Sequence, residues 1–163
     1  PLWGTLIGPM RQGRPVFGMM HQPFIGERFW GDGQAASYEG PAGSRSLRVR
    51  PCASLAEATI MTTTPNMFRP AEAERYTAVE SACRTNRYGA DCYAYCMLAA
   101  GHVDLVVEAG LKPYDIVALV PIIEGAGGIV TTWDGGSPAD GGRILAAGDR
   151  RVHAAAMEML KGS

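Results

Sequence analysis

The chain has 163 residues, 47% hydrophobic and 19% charged, with 15 basic against 16 acidic side chains and a formal net charge of −1. That length suits one domain burying about 70% of its unfolded surface, and the composition is that of a soluble globular protein, not a disordered or fibrous one. The balanced charge, with no basic cluster, argues against a nucleic-acid partner, and no apolar run approaches the ~20 residues needed to span a bilayer.

The opening P-L-W-G-T-L-I-G reads as a strand. It has no basic n-region and no initiator methionine, which predicts no signal peptide and a true N-terminus further upstream. Residues 15–24, 27–32, 34–39 and 46–50 are short runs separated by Gly, Pro and Asp, the pattern of an antiparallel meander. Residues 58–64 (A-T-I-M-T-T-T) are β-branched and end at Pro65, which predicts another strand. Residues 70–81 are helical by composition, with Pro70 in the first turn. A second helix is predicted over 91–100, opened by an acidic N-cap at Asp91 and closed by Gly101. Strands at 102–108, 128–133 and 143–147, a helix at 116–126 and an amphipathic helix at 152–160 complete the chain. Strands alternating with helices imply crossover connections and a layered α/β fold. The four cysteines, at 52, 83, 92 and 96, form no C-x-x-C pair. Cys92 and Cys96 share a helical face, where thiols act as small hydrophobes. His21, His102 and His153 are scattered and give no zinc pattern, and a reducing, cytoplasmic setting follows.

Asp115 stands immediately ahead of the aliphatic run I-V-A-L-V-P-I-I. That run could be a buried strand, but its length and its G-A-G-G ending favour a helix, kinked at Pro121 and sandwiched between layers. Asp115 is then its N-cap, at the positive end of the helix dipole. Capping alone would account for it. Glu108 changes the weight: it ends a strand seven residues earlier, and ligand sites in α/β sheets gather beyond strand carboxyl ends and at helix N-termini. Two carboxylates converging there describe a hard-cation site or a pocket for a cation, and oxygen ligands without Cys or His suit Mg²⁺. Asp32-Gly33 and Asp134-Gly135 read as turns.

G-L-K-P-Y-D-I-V-A followed by E-G-A-G-G resembles the C-terminal signature of the inositol monophosphatase family of Mg²⁺-dependent phosphatases. R-Y-G-A-D-C-Y-A-Y-C-M-L-A-A-G-H-V-D-L-V-V-E (residues 87–108), S-L-A-E-A-T-I-M-T-T-T-P (54–65) and the opening P-L-W-G-T-L-I-G extend the resemblance over essentially the whole chain. Tyr114 stands where many members have tryptophan, and Asp91-Cys92 at a helix start is similar to the histidinol-phosphate phosphatase branch. The resemblance implies a layered α-β-α-β sandwich, with antiparallel strands in the first half and a mixed sheet with crossover helices in the second. Residues 1–65 would be the end of the antiparallel-sheet layer and 66–163 the C-terminal α/β layer. It implies Asp115 as a ligand of catalytic Mg²⁺ and Glu108 as a contact to the organic part of the substrate. Gly89, Ala90 and Asp91 would line the substrate at a helix start, with Arg87 a basic residue nearby. Asp91 and Glu108, with the Tyr93 and Tyr95 hydroxyls, would suit the amine and imidazole of histidinol phosphate. The implied activity is hydrolysis of that phosphate ester by a homodimer, with inositol phosphate or another small ester as the alternative. The family's remaining metal ligands, a Glu-Glu pair and an Asp-Pro-x-Asp-Gly-Thr loop, lie upstream and do not occur here; the loop would directly precede Pro1. The chain alone is therefore expected to be inactive.

Overall fold

The computed structural model describes residues 3–161. Pro1, Leu2, Gly162 and Ser163, which belong to the two expected layers, lie outside the described residues. β1 (Thr5–Ile7) leads into a small ribbon of β2 (Met10–Arg11) and β3 (Arg14–Pro15). Its turn uses Gln12 and Gly13 at φ 52° and 75°, the left-handed pair that tight hairpins require. β4 (Gly18–Gln22), β5 (Glu27–Gly31), β6 (Ala36–Gly40) and β7 (Gly43–Ser46) then pair antiparallel in the order β1-β4-β5-β6-β7. Cross-strand partners Met20 and Phe29 bury the inner face of this sheet. The strand expected at 46–50 is displaced to Gly43–Ser46. Leu47 N–H still donates to Ala36 on β6, and the chain then leaves the sheet, with Val49 N–H donating to Ala126 and Arg50 pairing with Asp104.

The second sheet is mixed. β8 (Thr59–Thr62), β9 (Thr85–Tyr88), β10 (Leu105–Leu111), β11 (Ile129–Thr132) and β12 (Gly142–Ala147) lie in the order β11-β12-β10-β8-β9. β8 runs parallel to β9 and β10, while β12 is antiparallel to β10 and β11. The change of sheet thus falls between Ser46 and Thr59. β9 has no counterpart in the sequence reading: it is a half-exposed edge strand, T-N-R-Y, without a buried apolar pattern. α1 (Pro70–Ala82) and α5 (Arg150–Lys161) cover the outer face of the mixed sheet, and α2 (Cys92–Ala99) lies between the sheets. The order sheet, helices, sheet, helices is the α-β-α-β sandwich.

β10 is buried on both faces, so it reads as a continuous apolar run. Its period-two alternation sends Leu105, Val107 and Ala109 into the outer core with Val152, Ala156 and Leu160. Val106 goes to the inner core with Leu98, Ile122 and Ile123. The strand begins at Leu105 instead of 102, because His102 N–H closes the end of α2 onto Met97. Asp104 is then tied to Arg50 at 2.7 and 2.5 Å and to the Thr59 N–H at 2.7 Å.

The helix expected over 116–126 is broken in two, α3 (Pro113–Ile116) and α4 (Leu119–Gly125). The break lies upstream of Pro121. A proline ring clashes with the carbonyl four residues back, here Val117, so the interruption at 117–118 puts Pro121 in a first turn where no N–H is needed. A glycine pair receives this segment. Gly18 and Gly31 are cross-strand partners; a Cβ on Gly18 would lie 1.8 Å from the Ala118 oxygen, and one on Gly31 2.5 Å from the Pro121 oxygen. The sheet accepts the helix backbone itself at this point.

Candidate active site

The end of β8, the start of α2, β10 and the start of α3 converge on one cleft of about 370 Å³. Parity on β10 places Glu108 with Val106 on the inner face, toward α2. It lies mid-strand, not at a strand end as expected, because β10 continues to Leu111 through an irregularity after Glu108. Gly110, at φ 77°, supplies the left-handed residue that such a bulge uses. Glu108 is only 3% exposed. Its Oε1 accepts from the Thr63 N–H (3.0 Å) and hydroxyl (2.5 Å), and its Oε2 from the Tyr95 hydroxyl (2.9 Å). Burial pushes its carboxyl above the ordinary glutamate range, the Thr63 and Tyr95 hydrogen bonds pull against that, and the nearby Asp91 charge adds to the rise. Burial, then Glu108, pushes the Tyr95 phenol well above its usual range.

Asp115 is the third residue of α3, not its N-cap; that position belongs to Lys112. Pro113 fits the first turn, where its missing N–H costs nothing. The half-buried Asp115 carboxylate reaches back, Oδ2 accepting the Lys112 N–H at 2.7 Å. It thereby satisfies one orphan donor of the helix start.

Asp91 occupies the N-cap position of α2 but does not cap it: its side chain bonds none of the first-turn N–H groups. The reason is its backbone, at φ 46° and ψ −133°, far from the extended conformation a capping residue adopts. The Tyr93 N–H closes onto the Ala90 oxygen at 2.9 Å, so Asp91 sits in a tight turn of the kind glycine favours. Its exposed carboxylate lines the cleft.

Asp91, Glu108 and Asp115 therefore line one cleft. The other nominated residues are placed differently. Gly89, at φ 81°, donates its N–H to Thr62 and Thr63 and anchors the start of α2 to the end of β8. Ala90 is buried beneath the turn. Arg87 is exposed and donates to the Asn86 carbonyl, outside the cleft lining. The Tyr93 hydroxyl is committed to Glu27 at 2.7 Å, away from the cleft. Thr63, Trp3 and Met67 line the cleft without having been nominated. Thr63 was legible only as part of a β-branched run.

The chemistry of the donor set is all-oxygen and anionic, which fits a hard divalent cation. Among the described residues no three His, Cys, Asp or Glu side chains form a metal cluster, so Asp115 would be one ligand of an incomplete set. The four cysteines are free. Asp32 accepts the Gln34 and Ala35 N–H groups, and Gly135 closes a turn onto Thr132, so both Asp-Gly pairs are turns. Among the described residues, no helix is long and apolar enough to cross a membrane.

Residues 1–162 match the sequence model of the inositol monophosphatase family. The chain is 40% identical over 171 residues to the bifunctional phosphatase IMPL2, chloroplastic, of Arabidopsis thaliana, covering 99% of this chain and 48% of that protein. It is 32% identical over 151 residues to a histidinol-phosphatase of Mycobacterium tuberculosis, covering 90% and 57% respectively. The structure superposes on an inositol monophosphatase from Zymomonas mobilis with a TM-score of 0.91 at 38% identity, over 98% of this chain and 62% of that one. The chain belongs to the inositol monophosphatase family of phosphatases. It spans about half to three-fifths of the length of these relatives.

Proposed function

We propose that this chain is the substrate-side portion of a magnesium-dependent phosphomonoesterase that hydrolyses histidinol phosphate. The observation that carries the reading is the convergence of Asp91, Glu108 and Asp115 on one cleft. Magnesium, when bound, supplies Lewis acidity that activates water and neutralises charge on phosphate oxygens. Asp115 would hold one metal position with the oxygen that Lys112 does not use. Asp91, exposed and making no cap, offers its side-chain oxygens to an amine or imidazolium. Glu108, buried and flanked by donors, accepts from a second polar group of the same substrate. The remaining metal ligands would come from the part of the family fold that the longer relatives contain. The four free thiols support a reducing compartment, and the family resemblance supports a homodimer, measurable by light scattering.

The likeness to the Zymomonas mobilis inositol monophosphatase supports the second reading, a neutral polyol phosphate. Phosphate release from histidinol phosphate and from inositol 1-phosphate, by the complete enzyme with and without Mg²⁺, separates them. Preference for histidinol phosphate that collapses in Asp91→Asn is the expected result; faster turnover of inositol 1-phosphate would favour the polyol. The 163-residue chain alone should release no phosphate, and Mg²⁺-dependent turnover by it would overturn the assignment of the missing ligands.

A further inference from the structure

Glu108 forms part of the cleft wall although it is almost fully buried. An ionised carboxylate has about four acceptor positions. Three are filled from the protein, two on Oε1 by Thr63 and one on Oε2 by Tyr95. Every one of these partners donates, and among the described residues the carboxylate has no salt-bridge partner. Tyr95 is fully buried on α2, and its hydroxyl donates to Glu108. A phenylalanine would fill the same space in that wall, so the oxygen is there for Glu108.

We infer that Tyr95 and Thr63 are positioning residues that hold Glu108 as an acceptor with a single vacant position on Oε2, so that the cleft selects ligands placing an N–H or O–H donor there. The identity of the ligand rests on the phosphatase reading; the Tyr95–Glu108 geometry does not. The consequence of losing a donor is chemical as well as geometric. A buried carboxyl with fewer donors shifts toward its protonated form, and a protonated carboxyl presents a donor where the ligand needs an acceptor. The other ionisable groups facing this point are Asp91 and Cys92 at the start of α2, with Asp115 on the Tyr95 side. Burial and the Asp91 charge oppose ionisation of Glu108, which leaves the donated hydrogen bonds to keep it an acceptor.

Tyr95→Phe removes one oxygen. In this chain, the Glu108 carboxyl is followed across pH by ¹³C NMR, with Glu108→Gln giving the assignment. Its midpoint is expected to move upward in Tyr95→Phe and in Thr63→Val, and to stay at the wild-type value in Thr63→Ser, which keeps both Thr63 donors. Two separate variants guard against one that does not fold. In the complete enzyme, the ratio of kcat/KM for histidinol phosphate to that for phenyl phosphate, whose organic part has no donor, falls about tenfold in Tyr95→Phe, chiefly through KM. An unmoved midpoint in both variants overturns the inference, as does equal loss on the two esters. If the wild-type enzyme turns over neither ester, the histidinol phosphate reading fails, and the carboxyl titration decides the positioning role by itself.

Discussion

Asp115 divides its two carboxylate oxygens between a structural and a proposed catalytic demand. Oδ2 receives the Lys112 N–H, and asparagine keeps a carbonyl oxygen for that bond. Asp115→Asn should therefore cost less than about 1 kcal/mol of stability while removing the charge that metal ligation needs. The expected outcome in the complete enzyme is a fall in kcat on the order of a thousandfold with little change in the urea midpoint; near-normal turnover in the variant would leave Asp115 only its cap. Asp91 presents the opposite balance. Its backbone, at φ 46° and ψ −133°, lies where only glycine is comfortable, a strain of about 1–3 kcal/mol, and its side chain does no capping in return. Asp91→Gly should raise the unfolding free energy of this chain by about 1 kcal/mol, the relief being partly offset by glycine's greater freedom in the unfolded state. A less stable variant in urea denaturation would mean that the carboxylate itself holds the turn. Stabilisation together with loss of histidinol phosphate turnover would mark Asp91 as retained for its charge.

At the scale of elements, the junction of the antiparallel sheet with α4 is the least forgiving. The Ala118 oxygen already occupies the space a Gly18 side chain would need, and backbone cannot move aside as a flexible side chain can. Gly18→Ala is expected to destabilise by about 3 kcal/mol, whereas Gly13→Ala, in open space on the outer ribbon, should cost only the strain of its positive φ, about 1 kcal/mol. Similar losses in both variants, compared by chemical denaturation, would remove the close approach as an explanation. This junction also shows how the sequence informs and where it stops. The aliphatic run after Asp115 was legible as an enclosed helix because its burial is uniform, and Gly101 was legible as the end of α2 because a left-handed residue is needed there, at φ 78°. The break at 117–118 was not, since its place depends on which carbonyl the Pro121 ring meets and on a glycine pair about a hundred residues earlier in the chain. β9 was missed because an edge strand half in water carries no apolar alternation. At the site, carboxylates announced themselves by type next to apolar runs. Thr63 did not, because its role comes from a parallel pairing of β8 with β10 that no local pattern encodes.

Across the whole molecule, the four layers create two cores with different tolerance of charge. The inner core contains Glu108, whose raised carboxyl favours the protonated form in the fold; the stability tied to it is complete below the ordinary value of 4.5 and is lost as pH rises through the higher folded value. The outer layer contains His153 on α5, 7% exposed, with Nε2 2.9 Å from the Thr131 hydroxyl on β11. Burial lowers its pKa, and Arg150 one turn earlier opposes the cation further. The sign is the reverse of that for Glu108. Below the ordinary value of 6.5 the unfolded chain binds a proton that the folded chain resists, so the stability tied to neutral His153 is complete above pH 6.5 and drains away as pH falls toward the folded value. Because α5 carries Val152, Ala156 and Leu160 into the outer core, protonation of His153 is expected to act on a packed layer and not on a surface side chain. Urea midpoints of this chain at pH 7.5, 6.5 and 5.5 should fall with acidification. In His153→Gln, which keeps a polar partner for Thr131 but cannot titrate, the fall over that window should be shallower, with a midpoint at pH 7.5 within about 1 kcal/mol of wild type. Parallel curves for the two proteins would place the acid sensitivity in another group and leave His153 a neutral packing residue at every pH.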